Sequence, residues 1–113
     1  MSLATARLAV ADALTAAGIA RVVSDPRDVN PPCVLVGLPN RLERAACGWA
    51  GELTVHVIGA GPGNNDTVTG LLDTVEAVGA VIAARTANAA PYQPDPGAPA
   101  TLPAYALTVT VTT

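Results

Sequence analysis

Apolar and polar residues alternate in two segments of the chain, one near its middle and one at its C-terminus. In residues 52–58, Leu53, Val55 and Val57 fall on one side of an extended segment and polar side chains fall on the other. Residues 105–112 repeat the alternation, with alanine or threonine at every even position. We therefore expect two long strands, of which the first is the central strand of the sheet.

Two other segments follow the 3.6-residue period of an amphipathic helix. The first covers residues 3–17 and ends before Gly18, which suits a left-handed C-terminal cap. The second follows the glycine-rich residues 59–66, and Asn65 or Asp66 is expected to cap its start. The apolar stripe that we expect to pack on the sheet is Val68, Leu71, Leu72, Val75, Val78 and Ile82.

The remaining elements are shorter. Residues 19–23 and 33–37 are expected to be strands, joined by a stiff proline-containing connection, and residues 87–92 an edge strand. Residues 38–50 fit a helical turn, a polar hairpin, a loop or a strand extension, and we favour the last two. The expected order is α-β-β-β-α-β-β in a single domain, residues 1–113. This is the α+β class, with two helices packed on a small mixed or antiparallel sheet.

Composition narrows the choice of function. Of the 113 residues, 50% are hydrophobic but only 3% aromatic, and 13% are charged against a usual share of about 25%. A weakly charged surface suits a subunit of an assembly. The net charge of −3 and the absence of any basic run argue against a surface that neutralises nucleic-acid phosphates. No segment resembles a signal peptide or a membrane span, so we expect a soluble protein made in a cytoplasm.

The glycine-rich corner from Gly59 to Asp66 is the strongest candidate for chemistry. Glycines between a strand and a helix can hold a phosphate on backbone N–H groups. Here Pro62 removes one such N–H and no lysine follows, so we expect a structural corner. His56 is expected to be a surface or hydrogen-bonded histidine, since neither a nucleophile nor a carboxylate is placed to work with it.

The two cysteines, Cys33 and Cys47, have no nearby metal-ligand partners in the sequence. We expect both to be buried free thiols. With no nucleophile–base pair in the sequence either, we expect no catalytic residue, no metal and no cofactor, and thus not an enzyme.

Three motifs carry a resemblance to a known family. They are Asn-Pro-Pro-Cys-Val-Leu-Val at residues 30–36, Gly-Pro-Gly-Asn-Asn-Asp at 61–66, and Leu-Pro-Ala-Tyr at 102–105 before a Thr/Val-rich end. In this combination the chain resembles the small tail terminator proteins of long-tailed actinobacterial phages and prophages. The resemblance implies an α+β subunit of a six-membered ring that caps the head-proximal end of the tail tube and joins it to the neck.

Further expectations follow from that resemblance. The partners are further copies of the chain, the tail tube protein and a neck or connector protein, and the location is the virion tail, with assembly in the host cytoplasm. DNA passes through the ring without specific binding, and no membrane is involved.

Ring contacts are expected at aromatic residues and arginines in loop-like segments, because such residues carry much interface energy. The candidates are Trp49, Arg41, Arg44 and Tyr92. Two alternatives to the terminator stay open. One is another head–tail connector or minor tail subunit. The other, from a different class, is a small nucleotide- or ligand-binding domain that uses the Gly59 to Asp66 corner.

Overall fold

Both helices lie on one face of a five-stranded mixed sheet. The computed structural model describes residues 2–60, 65–84, 86–93, 97 and 101–112. The elements, in chain order, are α1 (Leu3–Ala16), β1 (Val22–Val23), a 3-10 turn (Pro26–Asp28), β2 (Cys33–Ala45), β3 (Gly48–Ile58), α2 (Asn65–Ile82), β4 (Ala87–Ala89) and β5 (Ala104–Thr112).

The strands are ordered β1-β2-β3-β5-β4. The β1–β2 pair is parallel, and the other three pairs are antiparallel. The predicted α+β class and element order are therefore confirmed, and β3 is the central strand, as expected. The sheet is mixed because of β1 alone.

Local sequence explains both ends of α1. The hydroxyl of Ser2 accepts a hydrogen bond from the backbone N–H of Thr5 at 3.1 Å and caps the N-terminus. Gly18 has a φ of +90°, the left-handed conformation expected of a residue that follows a helix. The helix ends at Ala16, one residue before the expected end.

The main core lies between the helices and the inner face of the sheet. Its centre on β3 is the predicted alternating set of Leu53, Val55 and Val57, all at most 1% exposed. Leu107 and Val111 add the corresponding face of β5. The other buried members are Ala6 and Leu14 of α1, Val34 and Val36 of β2, and Leu71 and Val78 of α2.

The predicted buried stripe of α2 is too wide. Leu71 and Val78 are buried, but Val68 is 41% exposed and Leu72 is 42% exposed. Successive residues lie about 100° apart around a helix, so Leu72 points well away from the face that Leu71 buries. Asn65 and Asp66 belong to the first turn of α2, and the residue before them lies outside the described part of the chain.

The largest addition to the predicted fold is the β2–β3 hairpin. Its strands have 13 and 11 residues and pair from Cys33 opposite Ile58 to Ala45 opposite Gly48. Of the two forms favoured for residues 38–50, the structure has the strand extension. The register shifts on either side of Pro39, which has no N–H to give to the ladder.

Arg7 ties α1 to the point where β2 leaves the core. Its Nε donates to the carbonyl oxygen of Gly37 at 2.9 Å, and its Nη2 donates to that of Val36 at 2.9 Å. Nη2 also donates to the carbonyl oxygen of Ser24. Val36 is fully buried, whereas residues 37–44 are half-buried or exposed.

The remaining predictions on short elements are confirmed in part. The strand expected over residues 19–23 is reduced to β1, and the connection that follows contains a 3-10 turn and a cis peptide bond between Pro31 and Pro32. The expected edge strand is β4, which pairs with β5 only. Tyr92 adds an isolated bridge to Leu102.

Candidate functional site

A groove of about 580 Å³ opens at the end of the sheet where β2 begins and β3 ends. It lies between these strand ends, residues 18–20 after α1, and one side of α2. Its lining residues include Val57 and Leu71 of the main core and Ile58 at the end of β3. We call this the end groove.

Small residues keep the end groove open. Gly70 and Ala77 of α2 are seven residues apart and therefore lie on the same side of the helix. No described atom lies within 4 Å of the position that a Cβ on Gly70 would take. The groove is absent from the sequence predictions. Its sequence signal is this pair of small residues at a seven-residue spacing, on one side of α2.

The charge of the end groove is negative. Asp66 and Asp73 line it, and Thr67 and Thr74 add hydroxyl groups. None of the described residues that line it is Arg, Lys or His. Cys33 also lines it, and burial raises the pKa of this thiol, which favours the neutral form. The groove therefore suits an apolar or cationic group better than an anion.

The first glycine of the glycine-rich corner has a structural role. The N–H of Gly59 donates to the carbonyl oxygen of Pro103 at 2.8 Å. A Cβ on Gly59 would lie 3.4 Å from that oxygen and 3.4 Å from Cγ2 of Thr67. This N–H is therefore used within the fold. Residues 61–64, in the middle of the expected corner, lie outside the described residues.

The far end of the β2–β3 hairpin carries three of the four predicted contact residues. Arg41 and Arg44 lie in β2 and Trp49 lies in β3, so the expectation that they occupy loop-like segments is wrong. We call residues 41–50 the hairpin tip. Its main-chain groups are paired as a ladder, which fixes the direction of each side chain.

One face of the hairpin tip is apolar with a single cation. Arg44 lies directly opposite Trp49, and Leu42 is two residues from Arg44 on the same strand, so the three side chains share a face. Trp49 is 43% exposed and Leu42 is 45% exposed. A Cβ on Gly51, opposite Leu42, would lie 2.6 Å from Leu42 Cδ2. Leu42 therefore lies over Gly51 because glycine leaves it room.

The opposite face of the tip is polar. Arg41 pairs with Glu52 in the register and forms a salt bridge with Glu43. The same face continues along β5 as Thr108, Thr110 and Thr112. Arg41 and Arg44, which the sequence groups together, thus lie on different sides of the sheet.

Tyr92 lies apart from the other three candidates. It packs beside the second core cluster, near Leu35 and Ile58, at the other end of the sheet. Its ring meets that of His56 edge-on, with centroids 6.0 Å apart. His56 is half-buried, and burial lowers the pKa of its imidazole, which favours the neutral form.

The two cysteines differ in exposure. Both are free thiols, as expected, and Cys33 is buried. Cys47 is exposed in the turn of the hairpin, so the expectation that it is buried is wrong. Cys47 lies in the two-residue turn between β2 and β3, where the described residues leave it exposed.

A scan against protein-family models finds no match to the chain, and a search of curated protein sequences finds none either. Within the described residues, no group of three or more His, Cys, Asp or Glu side chains is placed to hold a metal ion. No helix in that part of the chain is long and apolar enough to cross a membrane. The functional proposals therefore rest on the end groove and the hairpin tip.

Proposed function

We propose that the chain is a structural subunit of a phage tail, a tail terminator that forms a ring of six copies. The ring caps the head-proximal end of the tail tube and joins it to the neck. Its partners are the tail tube protein and a neck or connector protein. The proposed location is the virion tail, after assembly in the host cytoplasm, and the proposed role involves no catalysis.

The observation that carries this proposal is the hairpin tip. Leu42 and Trp49 are exposed on strands that extend beyond the helix-covered part of the sheet, and Leu38, next to the tip, is 78% exposed. Grouped apolar side chains on a soluble protein mark an interaction surface. Trp and Arg are also enriched among the residues that dominate interface energies. A subunit built to be partly covered by neighbours accounts for this surface.

The motifs behind the family resemblance are consistent with the proposal. Residues 30–36 lead into β2, and residues 102–105 lead into β5, so both motifs start strands that flank β3. Of residues 61–66, only Asn65 and Asp66 belong to the described part, where they begin α2. The motifs therefore belong to the framework of the sheet, as expected for a family defined by architecture.

The polar face of the sheet fits the passage of DNA without specific binding. It carries threonines, and its Arg41 is matched by Glu43 and Glu52. Each copy has a net charge of −3. Phosphate contacts by unmatched cations would add affinity and salt dependence, which would hinder a passing polyanion.

The test is electron microscopy of the purified protein, alone and mixed with tail tubes assembled from the tube protein. We expect closed rings of uniform diameter, free or at one end of each tube. A chain that stays monomeric in both conditions contradicts the proposal. Tight, salt-sensitive binding to duplex DNA also contradicts it, since that binding would require a phosphate-neutralising surface.

The end groove supports a second candidate, a small ligand-binding domain. Its volume lies within the range of about 300–1,000 Å³ that is usual for ligand pockets. Asp66 and Asp73 disfavour a phosphate there, so a nucleotide is a poor fit and a neutral or cationic ligand a better one. Calorimetric titration with nucleotides and with cationic ligands tests this candidate. Saturable binding by a monomer that forms no ring on tail tubes would favour it over the terminator.

A further inference from the structure

We propose that the hairpin tip of one subunit docks in the end groove of a second copy of the chain. This inference deepens the ring assembly and rests on the proposed function. The occupant of the groove is the face of the tip that carries Leu42, Arg44 and Trp49.

The two surfaces lie at opposite ends of the same strand. β3 begins at the tip with Gly48 and ends at the groove with Ile58. Eleven residues of strand span roughly 33 Å, so a subunit cannot place its own tip in its own groove. Contact between copies through these surfaces is head-to-tail. Such heterologous contacts generate rings when the rotation between neighbours closes, as the ring requires.

The apolar parts of the two surfaces are complementary. The tip presents the indole of Trp49 and the side chain of Leu42 from a paired, extended backbone. The groove offers about 580 Å³, and its lining includes apolar residues such as Ile19 and Leu71. Aromatic anchors that enter well-shaped pockets are the usual centres of protein interfaces. A tip already ordered as a hairpin also loses little conformational freedom on docking.

The charges of the two surfaces also favour docking of the tip in the groove. Arg44 is the cation on the apolar face of the tip, because Arg41 lies on the other face and pairs with Glu43. The groove has carboxylates from Asp66 and Asp73 and no cation among its described lining residues. Arg–carboxylate pairs are strong and directional when partly withdrawn from water. The tip and the groove therefore match in apolar surface and in charge, which favours a second copy of the chain over an acidic partner.

Matched neutralising variants provide the first test, with association followed by analytical ultracentrifugation. Arg44→Gln is compared with Arg41→Gln, which changes the same charge on the opposite face of β2. Asp73→Asn is compared with Glu76→Gln, an exposed position of α2 outside the groove. We expect Arg44→Gln and Asp73→Asn to weaken association about tenfold, equivalent to about 1.4 kcal/mol, and the two controls to change it less than about twofold.

Mixing of two blocked variants tests the head-to-tail geometry. Trp49→Ala removes the anchor of the tip and leaves the groove intact, whereas Asp73→Arg places a cation in the groove and leaves the tip intact. We expect neither variant to assemble alone. Their mixture retains one functional contact, so it should give a 1:1 dimer that does not grow. Melting temperatures within about 2 °C of the parent confirm that both variants are folded.

The exposed thiol of Cys47 offers a direct proximity test. A short bis-maleimide should link Cys47 of one copy to the thiol introduced by Thr74→Cys in the groove of another. The control is Leu8→Cys, which places a thiol at an exposed position of α1 that does not line the groove. Cross-linked ladders for Thr74→Cys and none above background for Leu8→Cys support the docking.

The outcomes separate this inference from the proposed function. Normal rings formed by Trp49→Ala and by Asp73→Arg would overturn the docking and leave the terminator proposal standing. A 1:1 dimer in the mixture, together with failure of the parent to cap tail tubes, would support the docking and overturn the terminator. Saturable binding of a small cationic ligand, lost in Asp73→Asn without any effect on assembly, would assign the groove to that ligand and overturn the docking.

Discussion

The two ends of the β2–β3 hairpin are built from the same strands and both carry large apolar side chains, yet their surroundings differ. At the base, Val36 and Val55 face each other beneath the helices and are fully buried. At the tip, Leu42 and Trp49 lie beyond the helices and remain exposed. The difference arises from coverage by α1 and α2, not from the strands themselves.

This contrast separates two roles along one ribbon. Residues at the base hold the sheet to the helices, so their loss should unfold the protein. Exposed residues at the tip are expected to contribute less to the isolated fold, so their loss should affect the proposed assembly more than stability. Substitutions of the same kind at the two ends can therefore be compared directly.

The largest expected effect comes from truncating two leucines at the same level of the ribbon, one buried and one exposed, since Leu53 pairs with Pro39 next to Leu38. Leu53→Ala removes a fully buried side chain from the centre of the core and should cost about 2–5 kcal/mol. Leu38→Ala, at a position that is 78% exposed, should stay within about 0.5 kcal/mol of the parent. Urea unfolding of both variants measures the difference. Equal losses would mean that the projecting part of β2 is covered in the monomer.

Leu71 and Leu72, which are adjacent on α2, also differ in burial. We expect Leu71→Ala to cost about 2–3 kcal/mol because it opens a cavity under the helix. Leu72→Ala should change the free energy of unfolding by less than about 1 kcal/mol, because its side chain faces outward. Thermal melts of the pair decide this. A larger loss for Leu72→Ala would restore the wider buried stripe that the sequence suggests.

Arg7 fixes the boundary between base and tip. Arg7→Met keeps much of the side-chain volume but removes donors to three backbone carbonyls, so we expect a loss of about 1.5–3 kcal/mol. The control is Arg27→Met, since Arg27 pairs with Asp25 at the surface, where solvent screens the pair and its loss should change stability little. Chemical unfolding should rank the two variants in that order. Loss of the same size in both would show that Arg7 has no anchoring role.

Gly51 tests the packing at the start of the tip. A Cβ there would lie 2.6 Å from Leu42 Cδ2 and 2.9 Å from the carbonyl oxygen of Arg41, so Gly51→Ala should cost about 1–3 kcal/mol. Gly70→Ala is the matched change in an open helical position and should stabilise by about 0.5–1 kcal/mol. Opposite shifts of the melting temperature are expected. A neutral Gly51→Ala would indicate that the two strands of the tip are further apart.

The smallest expected effect is a pH dependence at the base. Burial lowers the pKa of His56 in the folded state, so below the ordinary value of 6.5 the unfolded chain binds more protons. Stability is therefore full above that value and falls slightly on acidification towards pH 5. In His56→Gln this component should vanish from melts at pH 7.5 and 5. The pKa of Asp25 is lowered by its hydrogen bond to Arg27, so Asp25 titrates below this range.

The sequence predicts those strands in which one face is buried, because apolar and polar residues then alternate regularly. Residues 52–57 of β3 and 105–112 of β5 alternate because one face of each packs against the helices. The outer half of β2 is not predicted in this way, because Pro39 shifts its register and both of its faces are exposed. Periodicity also cannot distinguish Leu72 from Leu71, because both are apolar and only packing decides which one is covered.

The candidate surfaces are less predictable than the fold. Trp49, Arg41 and Arg44 can be selected by residue type, but the face to which each belongs depends on the strand register. The end groove depends on the distance between α2 and the ends of two strands, which no local pattern reports. Tyr92 matches the residue types of an interface and lies instead beside His56 and the second core cluster.

The hydrogen bonds of Arg7 to Gly37 and Val36 make the outer hairpin a lever with a fixed pivot. From Gly37 to Ala45 the strand extends roughly 26 Å, so a bend of about 10° at the pivot would displace the turn by roughly 4–5 Å. Such a movement would also bend β5, because β5 pairs with β3 out to Thr112 opposite Ala50 and carries the buried Val111 there. A ring joined through these arms could therefore adjust its diameter to a tube only by a bend that β2, β3 and β5 share.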